Sequence, residues 1–291
     1  MLKRYVLLLL ISLSPTLCLS QVSQNFLTRS LPQYELGAGA IGLNFPDYPG
    51  SKNERVRVVP FPYYIYRGKY FRSDDEGTRA RLLASDFHEV GFSFGFNFPV
   101  NSNDNESRRG MPDLDALMSF GPRILFRLLR NNPNHRLNFT FATRAVFSSK
   151  FSFNNLFRAE GFSYEPRFSY WYRWQQSKTT LFSSFGAEFG SAKYTQYFYN
   201  VDPLYATNTR PAYNAKAGLI ETSLAIGAGQ EITRRWFVFG GGSWRNLDAS
   251  TNKESSLLET TNNFGFILGV VWTFYESDEV VQPQMEKIEF N

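Results

Sequence analysis

From residue 34 onward apolar and polar side chains alternate in blocks, and each block ends in a cluster of turn formers. In the last block Phe264, Phe266, Leu268, Val270, Trp272 and Phe274 share one face, opposite Gly265, Ile267, Gly269, Val271 and Thr273. The stretch 86–98 sets Val90, Phe92, Phe94, Phe96 and Phe98 against Glu89, Gly91, Ser93, Gly95 and Asn97. In 135–149, Leu137, Phe139, Phe141, Ala145 and Phe147 oppose Arg136, Asn138, Thr140 and Arg144. Tyr164, Phe168, Tyr170, Tyr172 and Trp174 likewise oppose Glu165, Arg167, Ser169 and Arg173. A side-chain period of two places such sets on opposite faces of a sheet, so each block predicts a β-strand.

The connections carry a second regularity. TRR (233–235), QQSK (175–178) and NNPNH (131–135) are short turns, while polar stretches near 248–261, 201–213, 150–159 and 99–115 are long. Short and long connections alternate, as they do in outer-membrane barrels. Continuing that alternation toward the N-terminus requires KYFRSDDEGTRARLL (69–83) to be a hairpin turning at 75–77, with FPDYPGSKN (45–53) as the first long loop. The expectation is an all-β, transmembrane, antiparallel up-and-down barrel of about twelve strands, with ten as the alternative.

Hydropathy and aromatic content decide which solvent those strands meet. The run FGFILGVVWTF (264–274) is apolar but too short for a spanning helix, which needs about 20 residues. Mean hydropathy is only −0.32, as a barrel shows when its apolar residues fall at every second position. Phe, Tyr and Trp make up 17% of the chain, a composition that suits pleated surfaces. A soluble β-sandwich would also alternate. The recurrence of an aromatic face over many strands, opposite a small and polar face, favours the membrane.

The first residues favour export. MLKRYVLLLLISLSPTLCLSQ has Lys3 and Arg4, an apolar core from 5 to 13, a break at Pro15, and small residues Cys18 and Ser20 before Gln21. That is the pattern of a cleaved secretory signal peptide. A lipoprotein role for Cys18 fits less well, because Leu17 occupies a position that wants a small residue. The expected organisation is a signal peptide (1–20), an N-terminal periplasmic segment (21–33), a barrel (34–275) and an acidic periplasmic tail (276–291). With Cys18 removed there is no cysteine for a disulfide, a thiol nucleophile or a metal. The formal charge of +5 is spread along the chain, which gives nucleic-acid binding no support.

Little in the sequence carries chemistry. His88 and His135 fall at strand ends, and Ser85 and Asp86 near His88 read as a turn rather than as a nucleophile with its base. Two distant histidines offer no metal-ligand spacing. No cofactor and no enzymatic activity are expected. The strand phases turn Arg57, Glu89, Arg123, Arg127, Arg144, Glu165, Arg167, Arg173, Glu188 and Glu221 inward, where water or an opposite charge is available. They form either a charge-selective channel or a lumen stiffened by Arg–Glu pairs; their mixed signs favour pairing. In the loop 45–53, Asp47 and Tyr48 are candidates for an external contact, held by the turn geometry of Pro46, Pro49 and Gly50.

Three ordered blocks resemble the MipA/OmpV family of Gram-negative outer-membrane proteins. YELGAGAIGLNFPDYPGSKNERVRVVPFPYYIYRGKYF is similar to its opening, RRGMPDLDALMSFGPRILFRL to its middle signature, and AYNAKAGLIETSLAIGAGQEITRRWFVFGGGSWRNLDAS with FGFILGVVWTF to its closing strands. The resemblance implies an outer-membrane barrel embedded in lipid. It also implies a scaffold role linking a lytic transglycosylase to a peptidoglycan synthase, with porin-like channels and adhesins among other members. Phe264, Trp272 and Phe274 resemble the barrel-closing signal read by the barrel assembly machinery. Two departures stand out: NLDASTNKESSLLETTNNFGF lacks the family's proline, and the chain continues past Phe274 to Asn291.

Overall fold

The structure is a computed structural model and describes residues 31–67, 71–74, 77–80, 83–84, 87–129, 134–150 and 157–281. The expected signal peptide and the end of the tail lie outside them. Strands β1 (Leu31–Pro32), β2 (Tyr34–Pro46) and β3 (Glu54–Arg67) lead into three short ones, β4 (Phe71–Asp74), β5 (Gly77–Ala80) and β6 (Leu83–Ala84). Then come β7 (His88–Asn97), β8 (Ala116–Leu129), β9 (His135–Ser149), β10 (Arg158–Trp174) and β11 (Thr179–Gly190). Helix α1 (Ala192–Tyr199) precedes β12 (Gly218–Glu231), β13 (Trp236–Asn246), β14 (Asn262–Glu276) and β15 (Val280–Val281).

Apart from β1 and β15, which pair with each other, the strands form one sheet in the order β5-β4-β3-β2-β14-β13-β12-β11-β10-β9-β8-β7-β6. Every neighbour in it is antiparallel, and β14 joins β2 through pairs such as Leu268↔Gly42. The sheet curls until β5 approaches β7. None of the described helices is long and apolar enough to cross a membrane.

Ten strands are long, from the 10 residues of β7 to the 17 of β10. A tilted strand needs about 9–11 residues to span a bilayer. The hairpin expected in 69–83 exists, with Asp74 facing Gly77, but its arms β4 and β5 have four residues each. Among the described residues the long strands therefore number ten, the alternative expected, rather than twelve. The reason is charge: Lys69, Arg72, Asp74, Asp75, Glu76, Arg79 and Arg81 leave this stretch no apolar face for lipid. An Arg or Lys there at mid-depth would cost about 2–4 kcal/mol.

Outward positions meet lipid as the alternation requires: Phe264, Phe266, Leu268, Val56 and Val58 are more than half exposed, and Phe274 nearly so. Inward, aromatic rings lie across glycines of the next strand. Phe239 faces Gly269, Phe61 faces Gly39, and Tyr63 faces Gly37. A Cβ on Gly269 would stand 2.0 Å from the Phe239 ring and one on Gly39 2.4 Å from Phe61, so each ring fills the space its glycine leaves. The lumen is thereby divided. Ile41, Leu43, Phe45, Phe237, Phe239, Ile267 and Val271 make its wall apolar along β2, β13 and β14, while charge gathers on β7–β12.

Ten strands bring the paired segments β1 and β15 to one end, beside the short connections at 175–178 and 232–235. The long connections 47–53, 98–115, 191–217 and 247–261 gather at the other end.

Candidate functional site

Side chains from the long connections and the strand tops pack into one apolar cluster across the mouth at the loop end. It includes Tyr48, Leu114, Phe198, Tyr199, Ile220 and Leu247. Helix α1 is its centre. Ser191 precedes it in an extended conformation, and Tyr194, Thr195, Phe198 and Tyr199 are its buried residues. Such aromatic-rich short helices gain their stability from packing rather than from propensity. Tyr199 is fully buried and donates through its hydroxyl to the Pro49 carbonyl at 3.0 Å. The Ser255 hydroxyl donates to the Tyr199 carbonyl at 2.7 Å, and the Tyr197 hydroxyl to that of Asp115 at 2.8 Å. Four separate connections are thus tied into one cap.

Asp47 and Tyr48 belong to this cap. Their side chains point into it, so the contact surface expected of them is turned inward. The Asp47 carboxylate accepts from Arg55 Nε at 2.6 Å and from Asn105 Nδ2 at 3.1 Å. The Tyr48 hydroxyl donates to the Leu257 carbonyl at 3.0 Å and lies 3.0 Å from Ser107 Oγ. Burial pushes Tyr48 up to about 12. The Arg108 guanidinium lies 5.7 Å above the Tyr48 ring and donates to the Phe198 carbonyl at 3.1 Å; burial pushes its pKa down. The sequence signals long loops here but not their packing, because the cluster draws on segments more than a hundred residues apart.

Three charge clusters lie in the lumen, one beneath the cap and two toward the opposite mouth. In the upper one Arg144 and Arg167 both pair with Glu165, Arg167 Nη2 at 2.5 Å. The Tyr194 hydroxyl reaches down from α1 to donate to Glu188 at 3.0 Å. Glu221 lies 3.5 Å from Arg245. In one of the lower clusters Glu89 takes Arg127 at 2.7 Å and Arg123 at 3.4 Å, and in the other Glu231 takes Arg173 at 2.9 Å and Lys178 at 3.6 Å. Arg57 stands apart on the apolar side, 4.7 Å above the Phe98 ring and 3.9 Å from Asp47.

The arrangement brings nine of the ten inward charges into these clusters and adds Arg245, Glu231 and Lys178, which the sequence reading passed over. Arg245 and Glu231 share the inward phase of Ser243 and Gly229, so phase alone could have found them. Phe264, Trp272 and Phe274 lie on the lipid face, where Trp272 stacks on Trp236 at 5.9 Å. His135 Nδ1 lies 2.6 Å from the Tyr170 hydroxyl, at the far end from the cap. The turn bearing Ser85 and Asp86 lies outside the described residues. Among the described residues no three His, Cys, Asp or Glu side chains gather as a metal site.

The family model described as MltA-interacting protein MipA matches residues 36–274. No curated protein matches the sequence. Among solved structures the chain is similar to an outer-membrane channel from Pseudomonas putida F1, at 11% identity and a TM-score of 0.46, over 87% of this chain and all of that one. It is similar to the NanC porin at 8% identity and a TM-score of 0.41, over 81% of this chain and 98% of that one. The translocator domain of the autotransporter NalP from Neisseria meningitidis matches at 12% identity and a TM-score of 0.37, over 84% of this chain and 90% of that one.

Proposed function

This chain belongs to the MipA family, and from that premise we propose that it is a non-enzymatic scaffold of the outer membrane. Its task on this reading is to hold a lytic transglycosylase, and with it a peptidoglycan synthase, against the periplasmic end of the barrel. The family's description as an MltA-interacting protein supplies the first partner. One observation carries the reading for this chain, the unlike construction of the barrel's two ends. At the loop end, aromatic side chains and backbone groups are consumed in the cap, which favours neither an open porin nor free adhesive loops. At the other end β1 and β15 pair, Leu31 with Val281 and Pro32 with Val280, and the chain continues beyond them toward a segment rich in charge.

The test is recovery of the two envelope enzymes on the immobilised barrel, as the full chain and as a chain ending at Tyr275. The expected result is capture by the full chain and loss of capture on truncation. Equal capture by both would remove the tail from the mechanism. Capture by neither would sink the scaffold reading.

A further inference from the structure

The inward face of β10 runs Glu165, Arg167, Ser169, Trp171 and Arg173 toward the mouth opposite the cap. Trp171 is 8% exposed, and its ring packs at 5.2 Å on that of Phe182, its cross-strand partner on β11. Its indole Nε1 is buried and meets no acceptor among the described residues. Two residues on, the Arg173 side chain is 14% exposed. Its Nη2 donates to Glu231 at 2.9 Å, while its Nε is buried and again meets no acceptor among the described residues. Successive inward positions on a strand stand about 7 Å apart, so two unanswered N–H donors share one stretch of wall.

Unanswered polar atoms beneath the cap have a simpler remedy. There they include a donor, Arg144 Nε, and an acceptor, Glu221 Oε2, and water answers both kinds. At Trp171 and Arg173 both atoms are donors, and neither side chain can accept. Water seated between them would accept two bonds but would still have to place its own hydrogens. An anion has none to place. A buried donor left unmade is costly, and more so on a charged group.

Charge points the same way. Beneath the cap Arg144, Arg167 and Arg245 are matched by Glu165, Glu188 and Glu221. Here Glu231 faces both Arg173 and Lys178, at 2.9 Å and 3.6 Å, which leaves one positive charge over within this group. The longer contact exceeds hydrogen-bond length. Lys178 has φ 53°, the one positive value outside glycine among the described residues. A lysine pays in backbone strain for a conformation that glycine adopts freely. The Glu231 N–H donates to the Lys178 carbonyl at 3.4 Å, so that strained turn is tied to the end of β12. On the neighbouring turn Arg234 and Arg235 are exposed, and their field draws small anions to this mouth.

We propose that Trp171, Arg173 and Lys178 form a binding site for a small inorganic anion of the halide class in this corner of the lumen. Arg173 commits Nη2 to Glu231, so it lacks the free fork for the bidentate grip that selects carboxylates and phosphates. What remains is one N–H from the guanidinium and one from the indole, beside the Phe182 ring. A spherical acceptor needs no more, and Lys178 supplies the rest of the balancing charge. The site is independent of the scaffold role, because it engages an ion and no cell-wall enzyme.

The full chain, labelled with 5-fluorotryptophan and folded into detergent micelles, gives one fluorine resonance per tryptophan, and Trp171→Phe identifies that of Trp171. Sodium chloride then replaces sodium gluconate at constant sodium. The expected result is a saturable shift of the Trp171 resonance alone, since Trp174, Trp236, Trp244 and Trp272 are exposed on the lipid face. Arg173→Gln should raise the chloride midpoint about tenfold or more, as loss of a charged hydrogen bond does. Arg234→Gln, on the exposed turn, should leave the midpoint unchanged. Heat-modifiable migration establishes folding, and Lys178→Gln replaces Arg173→Gln if that variant fails it. No saturable shift at Trp171, or all the tryptophan resonances moving together, overturns the site. So does a midpoint that the Arg173 or Lys178 variant leaves unchanged, or that Arg234→Gln moves as far. Acetate shifting Trp171 at the same midpoint as chloride overturns the halide assignment.

Discussion

Glu165 holds two guanidiniums, those of Arg144 and Arg167, in a wall where its own side chain is 7% exposed. Removing one partner of a buried ion pair strands the other and costs about 3–5 kcal/mol, whereas replacing the whole group by apolar residues is often neutral. Glu165→Gln is therefore expected to lower the stability of the barrel in vesicles by about 3–5 kcal/mol. Changing Arg144, Glu165 and Arg167 together to Met, Leu and Met should cost much less, and urea titration measures both. A single variant no weaker than the triple one would show that the charges are not structural. The glycine pairs give a second test at this scale. Gly269→Ala would drive a methyl into the Phe239 ring, and overpacking of this kind costs about 1–3 kcal/mol. In a double-mutant cycle Phe239→Ala should relieve part of that cost, since touching residues couple. The inward phase of Glu165 and Gly269 is legible in the sequence, because period two belongs to each strand alone. Their partners are not, because Arg144 reaches Glu165 only in the register that sets Arg144 opposite Ser163.

The cap is the element whose nature the sequence concealed. Strands announce themselves by alternation, but the cap's burial comes from loops that touch only after the sheet has formed, and α1 has no strand period to reveal it. Its aromatic hydroxyls make its stability depend on pH. Tyr48 is pushed up from its ordinary 10.0 to about 12, so folding favours the protonated phenol. That contribution is complete below pH 10.0 and is lost as pH rises toward about 12. Protease sites in the loops should therefore open across this alkaline window before the wall unfolds. Tyr48→Phe should shrink the part of the opening due to this group, and its persistence at full size would assign the effect to Tyr194 or Tyr199. Tyr199→Ala acts at any pH: removing a fully buried aromatic costs about 3–5 kcal/mol. Cleavage within 191–217 by protease added to intact cells measures it, and a loop as resistant as the parent's would show that α1 does not hold the cap.

At the scale of the whole molecule, an even strand count, connections long at one end and short at the other, and a divided wall were all within reach of the sequence. The alternation settles them without any knowledge of contacts. It misled over 69–83, where an expected hairpin was counted as two crossings although its charges could not face lipid. It was silent on whether the lumen is open, which depends on how ten strands of side chains share the interior. A barrel this size is already narrow beside porins of 16–18 strands. Here rings pave one wall, ion pairs cross the other, and Tyr194 ties the cap to Glu188. The intact protein should therefore be silent in planar bilayers. Replacing residues 192–216 by a short Gly-Ser linker removes α1, the Tyr194–Glu188 bond and the Tyr199–Pro49 bond together, and stepwise conductance should then appear. Ending the chain at Tyr275 should leave the silence unchanged, because residues 276–281 leave the sheet at the far mouth. Steady conductance by the intact barrel would show that the cap is no seal and return the channel reading to first place. Silence that persists without α1 would place the block deeper, among the paired arginines and paved rings of the lumen.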